Sequence, residues 1–395
     1  MILTKNIVFK NFKNKPKVLK LKRELLKILK NKNEVIKSLS KDYKYSYTEK
    51  KIQKIKKNFS ELRIIGMGGS ILGTKAIFSF LKKNLKKKKI YFIDNLKENI
   101  EKFHNQKKVL NLIVSKSGNT LETITNHNIL FKKKRQKNIF ITEKNDNYLR
   151  NLARQIKSEV IDHNNFIGGR YSVLSEVGML PASLMGLKEK KFKQFNNIVR
   201  NKNFLNSLIY NAANIISFLE KKKYNSIIIN YDEDSDDLFK WYQQLVAESL
   251  GKKQKGVLPL ISTMPKDNHS LMQLYLDGPR NNFYTFFNVK EKKSEKINNK
   301  LLLKSHEFLR NKTLNQILTC QKKSTEKIFF EKNIPFRSFE ILNKTEETLG
   351  ELFSFFILET ILIGKFLKVN PFDQPAVELI KIETKKGLSS KGKIV

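Results

Sequence analysis

An arginine that directly follows two glycines is well suited to meet an anionic small molecule. Gly168 and Gly169 let the backbone approach a ligand closely, and Arg170 offers a permanent planar cation that stabilises a developing oxyanion. Arginine is scarce, with ten arginines against 68 lysines, so this placement is informative. The segment predicts an anion site; a loop arginine paired with a structural carboxylate is the alternative.

A cluster of hydroxyl groups follows a predicted strand that ends near residue 114. Ser115, Ser117 and Thr120 lie within six residues, with Lys116 between them and Gly118 permitting a tight turn. With the free N–H groups of the next helix, these side chains suit a phosphate monoester. A helix N-cap is the alternative, but a cap needs one hydroxyl, so three of them favour the phosphate site.

A glycine-rich turn follows the first predicted strand, where backbone N–H groups can receive an anion. Gly66 and Gly68 begin a GxGxxG pattern, but Ile71 stands where the last glycine is required. The turn, which also contains Gly69 and Ser70, therefore predicts a phosphate-type site and argues against NAD binding.

A predicted helix over residues 238–250 carries Gln244 and Glu248 on one face, because the two are four positions apart. Glu248 is a candidate for proton transfer, and a solvated surface glutamate is the alternative. His269 is a second candidate because imidazole exchanges protons near neutral pH, and an ordinary hydrogen-bonded histidine is the alternative. The remaining histidines and the single cysteine lie in no metal-ligand pattern and receive no role: His104, His127, His163, His306 and Cys320.

These candidates must be positioned by strands and helices that alternate along the chain. Short apolar runs separated by helical lengths predict βαβ units and parallel sheets. The predicted strands are 62–65, 90–93, 109–114 and 138–142, then 226–230 and 256–261 after a helix-like stretch over 190–223. The first 60 residues are predicted to contain an amphipathic helix, and the chain beyond 345 is predicted helical apart from the proline-containing segment 370–375. The fold class is therefore α/β, with two domains that each hold a mainly parallel sheet between helices.

Composition limits the possible classes of protein. A chain of 395 residues with 40% hydrophobic residues can bury substantial cores, and its most apolar stretch, 349–367, is interrupted by charges that argue against a membrane span. No signal-peptide pattern is present at the N-terminus, which predicts a cytoplasmic protein. The net charge of +41 raises the question of nucleic acid. However, the lysines are spread evenly along the chain, so we expect no nucleic-acid partner, and the positive field favours an anionic metabolite.

Taken together and in this order, the segments resemble the phosphoglucose isomerase family in its shorter bacterial form. The resemblance spans roughly residues 60–385, and its most specific pieces are the segments 168–174 and 370–381. It implies two sugar-isomerase domains, at 59–200 and 201–368, flanked by an N-terminal helical segment 1–58 and a C-terminal segment 369–395 that completes the active site.

The resemblance also implies a reaction and residue roles. The family interconverts glucose 6-phosphate and fructose 6-phosphate through a cis-enediol. Glu248 matches the glutamate that moves the proton between C2 and C1, and Arg170 matches the arginine that stabilises the enediolate. His269 and Lys381 match the pair associated with ring opening. The implied phosphate and substrate contacts are Gly69, Ser70, Ser115, Lys116, Ser117, Thr120 and Gln244.

The resemblance implies no metal and no cofactor, because the sugar's own carbonyl undergoes the reaction. It further implies a homodimer whose active site is shared, with the histidine matching His269 supplied by the neighbouring subunit. Two departures from the family pattern are Ala376 and Ile380, where small glycines are usual. Larger residues at these two positions are expected to loosen the close backbone approach. The resemblance therefore gives the identity of Lys381 but not the direction of its side chain.

Three other functions remain open from the sequence. An isomerase that also acts on mannose 6-phosphate would keep the same phosphate site. A non-catalytic sugar-phosphate sensor would have no reason to keep four residues together: Glu248, Arg170, His269 and Lys381. A lysine-driven nucleic-acid binder would show salt-dependent binding without isomerase activity.

Overall fold

The computed structural model describes residues 1–14, 16–31, 33–85, 88–97, 108–131, 136–290 and 293–389. His104 and residues 390–395 of the predicted C-terminal segment lie outside these described residues. Two sheets, each with helices packed against it, form the body of the protein. This arrangement confirms the predicted α/β fold class.

The N-terminal segment begins with a β-hairpin, which corrects the prediction that the segment is helical from its start. Its elements are β1 (Ile2–Thr4), β2 (Ile7–Lys10), α1 (Leu19–Lys30), α2 (Glu34–Ser38) and α3 (Glu49–Lys56). The residues of β2 alternate between buried and more exposed positions, and the Phe9 ring lies 4.4 Å from the ring of Phe339 in the second sheet. The hairpin therefore forms because a distant strand supplies its pairing partner.

The first sheet is entirely parallel, with the strand order β4-β3-β5-β6-β7. Its strands are β3 (Glu61–Gly66), β4 (Lys89–Ile93), β5 (Val109–Val114), β6 (Gln136–Glu143) and β7 (Glu159–His163). The helices in this part of the chain are α4 (Leu72–Phe80), α5 (Leu121–Leu130), α6 (Tyr148–Gln155) and α7 (Glu176–Leu184). All six residues of β3 and of β5 are buried, as expected for central strands of a covered parallel sheet.

The second sheet is mixed, with the strand order β1-β2-β11-β10-β8-β9, and its antiparallel pairings are those of β2 with β1 and with β11. Its remaining strands are β8 (Asn225–Asn230), β9 (Leu258–Thr263), β10 (Asn282–Val289) and β11 (Phe336–Ile341). The helices after α7 are α8 (Glu189–Phe192), α9 (Phe195–Ile198), α10 (Lys202–Glu220), α11 (Asp236–Leu250), α12 (Met272–Asp277), α13 (Leu314–Glu331), α14 (Glu346–Phe366) and α15 (Pro375–Ser389).

Helices α4 and α11 connect the two halves of the molecule, since α4 follows the first strand of one sheet and packs directly against α11 of the other. A continuous apolar core runs through this contact and around α14. Helix α14 is buried along most of its length. Among the described residues, no helix is both long and apolar enough to cross a bilayer. The packing of α4 on α11 places the end of α11 beside the turns of the first sheet.

Candidate active site

Arg170 and Glu248 form an ion pair that joins the two halves of the molecule. Arg170 lies in a short 3-10 turn, Gly169–Leu174, and Glu248 lies near the end of α11. The guanidinium Nη1 is 3.0 Å from the carboxylate Oε1. The arginine side chain is 1% exposed and the glutamate side chain is 21% exposed, so the cation is fixed while the carboxylate still reaches the surface. The pair therefore offers a base beside an immobile positive charge.

The orientation of Arg170 is set by hydrogen bonds from its other donors. Nε donates to Ser249 Oγ at 2.8 Å, and Nη2 donates to the backbone carbonyls of Pro371 at 2.7 Å and Asp373 at 3.0 Å. Nη1 also donates to Gln374 Oε1. Because these acceptors approach from several sides, the guanidinium has little freedom to rotate.

Gln244 lies one helical turn before Glu248 and holds its carboxylate. Its Nε2 donates to Glu248 Oε2 at 2.9 Å, while its buried Oε1 has no hydrogen-bond partner among the described residues. Gly68 lies against this amide with φ of +51°, and a Cβ at Gly68 would stand 2.9 Å from Nε2. Glycine adopts this positive φ without strain, and a Cβ here would push aside the amide that holds Glu248.

The two glycine-rich turns pack backbone against backbone. A Cβ on Gly69 would lie 2.1 Å from the carbonyl carbon of Gly169 and 2.4 Å from the backbone nitrogen of Arg170. Ser70 follows directly and is partly buried. The turn after β3 therefore positions the backbone that carries the arginine.

The hydroxyl cluster lies in the neighbouring turn, because β5 pairs with β3 and Val114 stands opposite Gly66. Ser115 Oγ and Thr120 Oγ1 are 2.8 Å apart. Thr120 occupies the N-cap position of α5, yet its side chain makes no capping hydrogen bond. The N-cap alternative is therefore not what this hydroxyl does.

Lys116 and Ser117 complete this turn. Lys116 is partly buried, and burial lowers its pKa, which the nearby carboxylate of Glu143 partly offsets. Ser117 is exposed, and its hydroxyl accepts a hydrogen bond from the N–H of Asn119 at 3.3 Å. Gly118 has φ of +64°. An anion above this turn would meet a lysine that is already partly desolvated.

His269 and Lys381 lie apart from the Arg170 and Glu248 pair within the single chain. His269 is exposed after a short turn that follows β9. Lys381 is on α15, where its side chain is 61% exposed and its Nζ lies 2.6 Å from the Glu378 carboxylate. The structure thus brings together Gly69, Arg170, Gln244 and Glu248, places the hydroxyl cluster in the neighbouring turn, and leaves His269 and Lys381 at the surface.

The other histidines have ordinary explanations where the structure describes them. Burial lowers the pKa of His127 to about 4 and that of His163 to about 3, and the charge of Lys116 adds to the effect at His163. His306 is exposed, as is Cys320. Within the described ranges, no group of three or more His, Cys, Asp and Glu side chains is placed to hold a metal ion.

Two residues at this site were not predicted from the sequence. Ser249 accepts from Arg170 and also lies 2.8 Å from the buried Tyr171 hydroxyl, and Gln374 accepts from Arg170. Gln374 lies within the segment 370–381, which the family resemblance had already marked as important, but nothing in the sequence indicated that Gln374 contacts Arg170. Ser249 directly follows Glu248 and carried none.

Comparison with known proteins places this geometry in a family. The family model described as phosphoglucose isomerase matches residues 22–391. The glucose-6-phosphate isomerase of Methanocaldococcus jannaschii is 31% identical over 343 residues, which cover 81% of this chain and 82% of that protein. The glucose-6-phosphate isomerase of Mycoplasmopsis pulmonis is 32% identical over 368 residues, which cover 85% of this chain and 84% of that protein.

Solved structures share the fold. A crystal structure of a hypothetical protein from Thermus thermophilus has a TM-score of 0.81 at 22% identity and covers 94% of this chain and 95% of that chain. A glucose-6-phosphate isomerase from Chlamydia trachomatis has a TM-score of 0.69 at 17% identity, covering 95% of this chain and 80% of that chain. The sequence resemblance is confirmed by the family match over most of the chain, and this chain belongs to the phosphoglucose isomerase family.

Proposed function

We propose that the pocket around Glu248 and Arg170 is where this chain interconverts glucose 6-phosphate and fructose 6-phosphate through a cis-enediol. Membership of the family supports the reaction. Relatives found by sequence and a relative found by structure carry the name glucose-6-phosphate isomerase. The chain is an aldose-ketose isomerase that acts in glycolysis and gluconeogenesis. A cytoplasmic location remains a prediction.

The observation that carries the proposal is the 3.0 Å ion pair between Arg170 Nη1 and Glu248 Oε1. In the aldose-to-ketose direction, Glu248 removes the proton from C2 and returns it to C1, so one carboxylate serves both carbons. Negative charge develops on the sugar oxygens as the C2 proton leaves, and Arg170 stabilises it. The hydroxyl proton on O2 is lost and O1 gains a proton, so the C1 aldehyde becomes an alcohol as the C2 alcohol becomes a ketone. C2 is oxidised as C1 is reduced, so electrons stay within the sugar.

The phosphate of the substrate is assigned to the turn after β5. The hydroxyls of Ser115, Ser117 and Thr120 donate to its oxygens, and Lys116 supplies charge. Gly69 and Ser70 of the neighbouring turn complete this contact. Gln244 is assigned to the sugar, because its buried Oε1 lacks a hydrogen-bond partner among the described residues and can accept from a sugar hydroxyl.

Ring opening is assigned to His269 and Lys381, and this assignment requires a homodimer. His269 is exposed, and a second copy of the chain can bring it to the pocket formed by Glu248. Helix α15, which carries Lys381, has no buried residue in the single chain. Exposed apolar side chains of α15 support its burial on assembly: Val377, Leu379, Ile380, Ile382 and Leu388.

The test is a coupled assay that follows conversion of fructose 6-phosphate to glucose 6-phosphate. Glu248→Gln keeps the shape but removes the base, so we expect kcat to fall by about a thousandfold or more. Calorimetric binding of fructose 6-phosphate should change by less than about fivefold, because the phosphate contacts remain. Glu331→Gln, which changes an exposed glutamate of α13, is the matched control and should keep full activity. Undiminished turnover in Glu248→Gln would remove Glu248 from the mechanism.

A further inference from the structure

A second cavity opens at the amino-terminal edge of the second sheet. It has a volume of about 650 Å³ and lies between the end of β2 and the loops that precede β8, β10 and β11. Six basic side chains line it: Lys10, Lys13, Lys221, Lys223, Arg280 and Lys332. No aspartate or glutamate is among the described residues that line it. We call it the basic cavity, and it shares no residue with the proposed active site.

The cations of the basic cavity are uncompensated. Among the described residues, none of the six forms an ion pair with a carboxylate. Lys223 Nζ donates to the backbone carbonyl of Arg280. The pKa of Lys223 is lowered by burial, and then by the charges of Arg280 and Lys221. Like charges are therefore held together at an electrostatic cost that a bound anion would remove.

Aromatic rings form the rest of the wall and give the cavity a flat apolar side. Lys13 Nζ lies 4.6 Å from the ring centroid of Phe330, and Lys10 Nζ lies 4.6 Å from that of Phe336. The Phe330 ring is half exposed, whereas Phe12 and Tyr284 are buried beneath the surface. The cations suit the phosphates of a ligand, and the neighbouring aromatic rings suit a planar ring in the same ligand.

We propose that the basic cavity binds a nucleotide that carries several phosphates, of the nucleoside triphosphate class. Its volume is within the range of small-molecule sites, roughly 300–1,000 Å³, and exceeds what a single inorganic phosphate would fill. The phosphates meet the lysines and Arg280, and the base lies against Phe330. The alternative is that the chain attracts any anion through its net charge of +41.

The test is titration calorimetry with magnesium-free ATP at fixed ionic strength, with saturating fructose 6-phosphate present to fill the active site. We compare Lys13→Gln/Lys221→Gln/Lys332→Gln with a control triple that removes the same charge from exposed lysines elsewhere, Lys50→Gln/Lys54→Gln/Lys57→Gln. The cavity triple should weaken ATP binding at least about tenfold and the control less than about threefold. Isomerase activity reports whether both triples are folded, and Lys221→Gln alone serves if the cavity triple does not fold.

Inorganic triphosphate and adenosine are used as separate probes, the first for the phosphate contacts and the second for the contacts of the nucleoside. ATP should bind more tightly than triphosphate because the base adds contact with Phe330. Absence of ATP binding to the unaltered protein, or equal weakening by both triples, would overturn the site. Triphosphate binding as tight as that of ATP would overturn the nucleotide assignment.

Discussion

Gly69 and Gly169 lie so close that a Cβ on Gly69 would stand 2.1 Å from the carbonyl carbon of Gly169. The contact is between two backbones, neither of which can move aside as a flexible side chain does. The position of Arg170 therefore depends on the lack of a side chain at Gly69, which lies 101 positions earlier in the chain.

Gly69→Ala is expected to lower isomerase activity by about tenfold or more and the free energy of unfolding by about 1–3 kcal/mol, because the two turns must separate. The coupled assay and urea unfolding measure these effects. Gly168→Ala is the matched control for stability, since its Cβ would meet no atom closer than 3.8 Å, and its free energy of unfolding should be nearly unchanged. Equal effects of the two substitutions would contradict the close-contact explanation.

The shared active site that we propose predicts complementation between two inactive variants. In a mixed dimer of His269→Asn and Glu248→Gln chains, one of the two pockets receives an intact glutamate from one chain and an intact histidine from the other. An equal, co-refolded mixture should therefore recover about a quarter of the unaltered activity. The measurement is the coupled assay on each variant alone and on the mixture. A mixture as inactive as its components would show that each pocket uses its own chain's histidine.

A buried ion pair between Arg337 of β11 and Glu359 of α14 predicts a large stability effect. Both side chains are at most 2% exposed, and Arg337 also donates from Nε to Thr285 Oγ1 at 3.0 Å. Glu359→Gln leaves the arginine buried without its counter-charge, so the free energy of unfolding should fall by about 3–5 kcal/mol. Urea unfolding measures the loss.

The control for this prediction is Glu331→Gln, which breaks an exposed pair with Lys327 on α13 and should cost less than about 0.5 kcal/mol. The double substitution Arg337→Met/Glu359→Leu should recover much of the stability lost in Glu359→Gln. If Glu359→Gln and Glu331→Gln have the same effect, the buried pair does not stabilise the fold.

Glu351 predicts a pH dependence of stability. Burial raises its pKa to about 7, partly offset by the hydrogen bond from Thr4 Oγ1, whose length is 2.7 Å. The folded state therefore holds a proton that the unfolded chain releases above its ordinary pKa of 4.5. Stability from this group is complete below pH 4.5, falls as pH rises and is lost above about pH 7, by about 3 kcal/mol in all.

Urea unfolding at pH 5 and pH 8 measures the Glu351 effect. Glu351→Gln keeps an oxygen that accepts from Thr4 but does not ionise, so it should be more stable than the unaltered protein at pH 8. Glu331→Gln, which changes an exposed glutamate of α13, should retain the unaltered pH dependence. A Glu351→Gln protein that loses stability between the two pH values as steeply as the unaltered one would refute the assignment.

The sequence predicted best the parts of the fold that depend on local patterns. The central strand β5 was predicted with its observed bounds, because a strand buried on both faces is a continuous apolar run. The hairpin at residues 2–10 was not predicted, because Val8 pairs with Glu340 and no local pattern reveals that partner. Strand β10 is buried but was not predicted, because its polar residues Asn282, Thr285 and Asn288 interrupt the apolar run that marks a buried strand.

The candidate site was predicted through the family resemblance more than through single residues. The helix pattern around Glu248 did not distinguish a proton-transfer residue from a surface glutamate. The ion pair with Arg170, which supports the proposed role, could not be read from the sequence. The contacts from Ser249 and Gln374 depend on packing between distant segments, which spacing along the chain does not report.

The segment 370–374 supplies three of the hydrogen-bond acceptors of the Arg170 guanidinium. These acceptors belong to residues that lie 201 to 204 positions after Arg170 in the chain. During synthesis, both sheets can therefore be complete while the guanidinium still lacks the contacts that aim it. A chain truncated before residue 370 would keep the strands of both sheets but lose these acceptors, so we expect such a chain to fold and yet be inactive.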